Sequence, residues 1–211
     1  MAKGKLLFKY GTMNSGKSLQ LLATAHNFSE KSIPFILMKS SIDDREGGNT
    51  VHSRALGDME CHTVKPNDDI FKLISRLLDY SKTMLLKPIQ WILVDEAQFM
   101  TESQIEQLAA ICDNYGINVI CYGLRTDFQS KLFPGSKRLF ELADSIDEIK
   151  SSCSCGCKTI INARVDDNGN IVSIGEQVEI GGNERYVSMC RKCYFDKTGK
   201  EHYNNKREEN E

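Results

Sequence analysis

The chain has 211 residues, 40% of them hydrophobic, and a formal net charge of −2. That length holds one or two domains, and the apolar share is enough for a core that needs no disulfides. The near-neutral balance excludes a global basic field for nucleic acid, and no stretch approaches the roughly 20 apolar residues of a membrane span.

Residues 5–10 form a short apolar run that ends at Gly11. Lys9 lies within this run and a glycine-containing loop follows at once, so the N-terminus is a strand and not a signal peptide. A cytoplasmic protein, with its thiols reduced, is therefore expected. Residues 17–28 have helical spacing, with Leu19, Leu22, Ala23 and His26 on one face. Phe35 to Met38 is a second buried strand. Residues 41–58 are polar, aperiodic and contain glycine, which predicts a long loop. Asn67 opens the next helix, with Ile70, Leu73, Ile74, Leu77 and Leu78 on its stripe. Ile89 to Val94 is a continuous apolar strand ending in Asp95-Glu96. Thr101 and Gln104 make a capping box for a helix through Cys112. Ile117 to Tyr122 is another buried strand, ending at Gly123. Strands alternating with helices predict an α/β domain over residues 1–149, a parallel sheet with helices on both faces. Its ligands would sit at the carboxyl ends of the strands.

The pattern changes near residue 150. Ile160 to Val165, Asp-Asp-Asn-Gly-Asn and Ile171 to Ile174 predict a hairpin with an Asn-Gly turn. A small β-rich module over 150–196 follows, and the polar residues 197–211 have the composition of a disordered tail.

Residues 11–18, Gly-Thr-Met-Asn-Ser-Gly-Lys-Ser, have the spacing of a phosphate-binding loop between strand and helix. Gly11 and Gly16 allow a path that turns backbone N–H groups toward phosphate oxygens. The helix start adds its positive dipole end. Thr12, Met13, Asn14 and Ser15 complete the loop. Lys17 is placed for the β- and γ-phosphates of ATP, and Ser18 for magnesium. In Trp91 to Phe99, a buried strand brings Asp95 beside this loop as the carboxylate of the Mg2+ shell. Glu96 is placed to accept a proton from an attacking hydroxyl or water. Gln98 of the same Asp-Glu-Ala-Gln run joins the nucleotide-binding set. This pair also fits a helicase-like ATPase acting on nucleic acid. Such a machine needs two domains and a basic track, so a small-molecule kinase fits better.

Five of the eight cysteines cluster near the C-terminus, which is metal-site behaviour. Cys190 and Cys193 form a CxxC knuckle. With an upstream pair about 35 residues away they suit a closed, structural four-thiolate Zn2+ site. The upstream pair is Cys153 and Cys155, with Cys157 as the alternative; Gly156 is the small residue a knuckle turn favours. The four histidines lie far apart and form no triad pattern.

The phosphate loop, Asp-Glu-Ala-Gln-Phe, and a four-cysteine module with Gly181-Gly182 and Tyr186 between its pairs resemble, in this order, the type II thymidine kinases. The likeness covers roughly residues 5–195. It implies a P-loop, RecA-like fold and transfer of the γ-phosphate of ATP to the 5′-hydroxyl of thymidine or deoxyuridine. By position it implies Glu96 as general base and Arg45 as the arginine near the transferring phosphate, with Asp43 in the same run. Phe128 is similar to the aromatic that packs on the thymine ring. Tyr186 and the Val178, Glu179, Ile180, Gly181, Gly182 segment resemble a loop that closes over the base. Met13 and Leu124 would line the methyl pocket. Reading back from Arg164, the family's spacing lands on Cys155 as second ligand, and its usual first-ligand position falls on Ser152, so Cys153 must reach in. The resemblance further implies a homotetramer inhibited by dTTP.

Overall fold

The structure is a computed structural model that describes residues 3–42, 49–84, 87–172, 174–175, 177 and 185–199. Six strands form one all-parallel sheet: β1 (Leu6–Gly11), β2 (Phe35–Ser40), β5 (His62–Val64), β6 (Trp91–Asp95), β7 (Asn118–Leu124) and β8 (Ser145–Ile149), in the order β5-β2-β6-β7-β1-β8. Alternate side chains serve different cores. Leu6, Phe8, Ile36, Met38, Ile92, Val94, Val119 and Cys121 face the layer of α2 (Ile70–Thr83), α3 (Glu102–Tyr115) and α4 (Pro134–Leu142). Leu37, Leu93, Ile120 and Tyr122 face α1 (Lys17–Glu30). Burial on both faces explains why these strands are apolar without alternation.

The expected helix at 17–28 is present as α1, but its buried face is Leu21, Leu22 and Ala25, while Leu19 is exposed. The helix meets the sheet one residue step round from the stripe that spacing favours, because its phase is set by the phosphate loop that starts it. The predicted loop at 41–58 contains a hairpin, β3 (Thr50–Ser53) with β4 (Gly57–Glu60). Val51 packs into the α1-side core, and this one long-range contact is invisible to local pattern. Helix α2 is capped by Asp69, whose side chain accepts from Lys72 N–H, and not opened by Asn67. Thr101 and Gln104 form the expected capping box.

The second unit is a three-stranded antiparallel sheet, β10 (Ile171–Val172), β9 (Ile161–Val165) and β11 (Tyr186–Met189), followed by α5 (Arg191–Thr198). The β9–β10 hairpin turns through Asp166 to Asn170, with Gly169 at φ 79° and Asp166 Oδ1 accepting from the N–H groups of Asn168 and Asn170. No helix among the described residues is long and apolar enough to cross a membrane.

Candidate active site

The phosphate loop leaves β1 at Gly11 and enters α1 at Lys17. A Cβ on Gly11 would stand 2.7 Å from Ile149 O and 2.4 Å from Ser15 Oγ, so only glycine lets the loop turn there. Asn14 and Gly16 take φ of 59° and 87°, the left-handed conformations that fold the loop into a cradle. Lys17 is buried, and its ammonium donates to Thr12 O at 2.9 Å, held across the loop. Ser15 Oγ is buried inside the cradle without a hydrogen-bond partner among the described residues, an unsatisfied polar atom that suits an anionic ligand.

Strand β6 brings Asp95 to the same edge. Its carboxylate accepts from Ser18 Oγ at 3.1 Å and from Glu96 N–H at 3.0 Å. Burial, then the charge of Glu96, pushes the Asp95 carboxyl up to about 7. A hydroxyl and a carboxylate at the mouth of a phosphate cradle are the hard oxygen donors that a magnesium ion takes, so these residues fit that ion.

Glu96 follows at φ 49°, left-handed for a residue with a Cβ, a conformation that costs about 1–2 kcal/mol. A 3-10 turn over Ala97–Phe99 holds it. Gln98 donates from Nε2 to the Glu96 carboxylate and accepts Leu124 N–H at its Oε1, 2.9 Å away. Gln98, which the sequence grouped with the nucleotide-binding residues, is buried with its amide engaged by Glu96 and Leu124. Gly123 leaves room for its amide: a Cβ there would stand 2.8 Å from Gln98 Oε1.

Phe128 is buried, and the Arg164 guanidinium stacks 3.9 Å above its ring. Nε and Nη2 of Arg164 donate to the Tyr186 hydroxyl at 3.2 and 3.0 Å. Arg164 thus joins two residues that the sequence singled out separately, although it was read there only as a spacing marker. Its neighbour two along β9, Asn162, was missed altogether. Asn162 Oδ1 accepts Met13 N–H at 2.7 Å, and Ser188 Oγ donates to Met13 O at 2.6 Å. Thr12 Oγ1 bonds to Thr159 at 2.9 Å and Ser151 at 3.1 Å. A signal existed: two long polar side chains, Asn162 and Arg164, alternate within the apolar run of β9 and so share a face. Leu124 stands at the end of β7 with its N–H on Gln98. Arg45, Asp43, Val178, Glu179, Ile180, Gly181 and Gly182 lie outside the described residues.

Cys153, Cys155, Cys190 and Cys193 come together with all four sulfurs within 4.8 Å of one another. Cys157 is exposed and outside this group. The first knuckle is a tight turn in which Gly156 N–H reaches Cys153 O at 2.8 Å, with Gly156 at φ 85°. The second is the start of α5, where Cys193 N–H donates to Cys190 Sγ. A tetrahedron of Zn–S bonds near 2.3 Å has edges of about 3.8 Å, and Cys155 Sγ lies 3.6 Å from Cys190 Sγ. Backbone N–H groups of Cys155 and Cys190 draw the Cys153 thiol down to about 6. Hydrogen bonds with the other three sulfurs push Cys193 up to about 12. The donor set therefore fits zinc. Burial raises the thiols of Cys61, Cys112 and Cys121, which leaves them inert.

A phosphate cradle with its buried carboxylate, at the carboxyl edge of a parallel sheet and tied to a four-cysteine module, defines a P-loop nucleotide-binding protein of the phosphotransferase kind. The chain belongs to the thymidine kinase family, whose sequence model matches residues 4–194. It is 43% identical over 198 residues to the thymidine kinase of Mannheimia succiniciproducens, covering 94% of this chain and 98% of that protein. It is 43% identical over 195 residues to the thymidine kinase of Novosphingobium aromaticivorans, covering 92% and 98%. Against that of Rhizobium meliloti it is 42% identical over 193 residues, covering 92% and 97%.

Proposed function

We propose that this protein transfers the γ-phosphoryl group of ATP to the 5′-hydroxyl of thymidine, and of deoxyuridine, giving the nucleoside monophosphate. One observation carries the reading: the family match runs over residues 4–194, through both the phosphate loop and the cysteine module. Loop N–H groups from Gly11 to Ser18 and the Lys17 ammonium would bind the triphosphate. Magnesium, held at Ser18 and Asp95, would neutralise charge on the phosphate oxygens. Glu96, oriented by Gln98, takes the proton of the attacking hydroxyl. Arg45 offsets charge on the transferred group.

Phe128 and Tyr186, joined through Arg164, would hold the base with Leu124, Met13 and the segment from Val178 to Gly182. A zinc ion on the four cysteines would fix the module from which that segment hangs. A cytoplasmic homotetramer inhibited by dTTP completes the reading, supported by family membership. A helicase-like ATPase is not favoured by the family match. A nucleoside panel scored by ADP release tests the proposal. Thymidine and deoxyuridine should stimulate release. Stimulation by single-stranded nucleic acid, with none by nucleosides, would replace it with the ATPase reading.

A further inference from the structure

One cation at the carboxyl edge of the sheet is used by nothing described so far. Lys39, near the end of β2, is only 3% exposed. Lysines are almost never so deeply buried unless paired. Yet among the described residues the Lys39 ammonium has no hydrogen-bond or ion-pair partner.

Its position follows from the register. Lys39 pairs with Asp95 of β6 on one side and Thr63 of β5 on the other. Register partners on neighbouring strands point to the same face. Asp95 uses that face to reach Ser18 at the start of α1. Leu37, two residues before Lys39, packs on that face with Leu93 and Leu21. Lys39 therefore lies on the α1 side of the sheet, one strand spacing or about 4.8 Å beyond Asp95. The Cys61 thiol feels the charges of both Lys39 and Asp95, which places the three groups in one neighbourhood. Asp95 itself is engaged by Ser18 and by Glu96 N–H.

An apolar side chain would fill the Lys39 position without the cost of desolvating a charge. Such a cost is tolerated where the group works on a ligand of opposite charge. The ligand edge of the sheet offers one: β1, β6 and β2 deliver Lys17, Asp95 and Lys39 to it in turn.

We propose that Lys39 is a further catalytic cation, beside Lys17 and Arg45, contacting the γ-phosphoryl group of the donor nucleotide on the Asp95 side of the site. As the acceptor oxygen bonds to the γ-phosphorus, the bond to the β–γ bridging oxygen breaks. The nucleoside diphosphate leaves with that electron pair, and the hydroxyl proton passes to Glu96. Lys39 offsets the charge spread over the phosphoryl oxygens in between. This inference rests on the phosphotransferase reading above.

The test compares the full-length wild type with Lys39→Met, Lys39→Gln and Lys39→Arg. In Met and Gln the kcat/KM for ATP should fall by ~100-fold or more. ADP, which lacks the γ-phosphate, should bind within about threefold of wild type, and the KM for thymidine should hardly move. The melting temperature without nucleotide should be equal or higher, since a desolvated charge has been removed. Arg should restore part of the loss. ATP turnover within about threefold of wild type in a folded variant overturns the inference, as does equal weakening of ATP and ADP. A fall in melting temperature in both neutral variants makes Lys39 structural and also overturns it. Absence of thymidine-dependent ADP release from the wild type in the same assay would instead remove the function proposed above.

Discussion

Glu96 is the general base proposed above, and its backbone shows the cost of placing it. It sits at φ 49°, with Gln98 holding its carboxylate and Leu124 N–H holding Gln98. Strain of this kind persists where the surroundings over-determine it. Glu96→Gln keeps the shape and removes the base, so thymidine-dependent ADP release should fall at least ~100-fold, with ATP binding retained by equilibrium titration. Its neighbour Asp95 predicts a pH effect. Burial and the Glu96 charge raise its carboxyl from 3.8 to about 7. Between about pH 4 and pH 7 the folded chain keeps a proton that the unfolded chain has released, so stability falls as pH rises through that window and levels off above it. Melting temperature without nucleotide should drop more between about pH 5 and pH 8 in wild type than in Asp95→Asn. Magnesium held at Asp95, as proposed above, would need the charged carboxylate, so Mg-nucleotide affinity should run the other way, rising with pH and flattening above about 7.

At the scale of elements, the turn that follows Glu96 is only as firm as the helix against it. Gly135, on the first turn of α4, lies so close to the 97–100 turn that a Cβ would stand 2.4 Å from Ala97 O and 2.7 Å from Met100 O. Gly135→Ala must push α4 away from the turn that carries Glu96. We expect a loss of about 1–3 kcal/mol in denaturant unfolding, with a lower kcat and a little-changed KM for ATP. The local elements also mark what pattern reading misses. The Thr101–Gln104 cap and the Cys190–Cys193 knuckle were legible because both are closed within four residues. The full face of α1 and the β3–β4 hairpin were not, because Leu21, Ala25 and Val51 owe their burial to residues far along the chain.

Across the whole molecule, the cysteine module and the phosphate loop are one device. Asn162 and Ser188 hold the two ends of the Met13 peptide, and Thr159 and Ser151 hold Thr12. Ser151 precedes the first knuckle, and Ser188 the second. Loosening the module should therefore reach the donor half as well as the acceptor half. In Cys190→Ser and Cys193→Ser, metal analysis should give less than one zinc per chain, and the KM for ATP should rise along with that for thymidine. A rise for thymidine alone would mean that the clamp does not transmit. By itself the sequence determined the alternating architecture, the phosphate loop, the Asp95-Glu96 pair, and the likeness that leads to the family. These are written in contiguous residues, and their backbone chemistry is local. Only the tertiary structure decided which cysteines meet, that Gln98 serves Glu96, that Arg164 lies between Phe128 and Tyr186, and that Lys39 is buried beside Asp95. Each depends on a pairing between distant segments, and a single chain shows which residues are present but not which of them the fold brings within a hydrogen bond of one another.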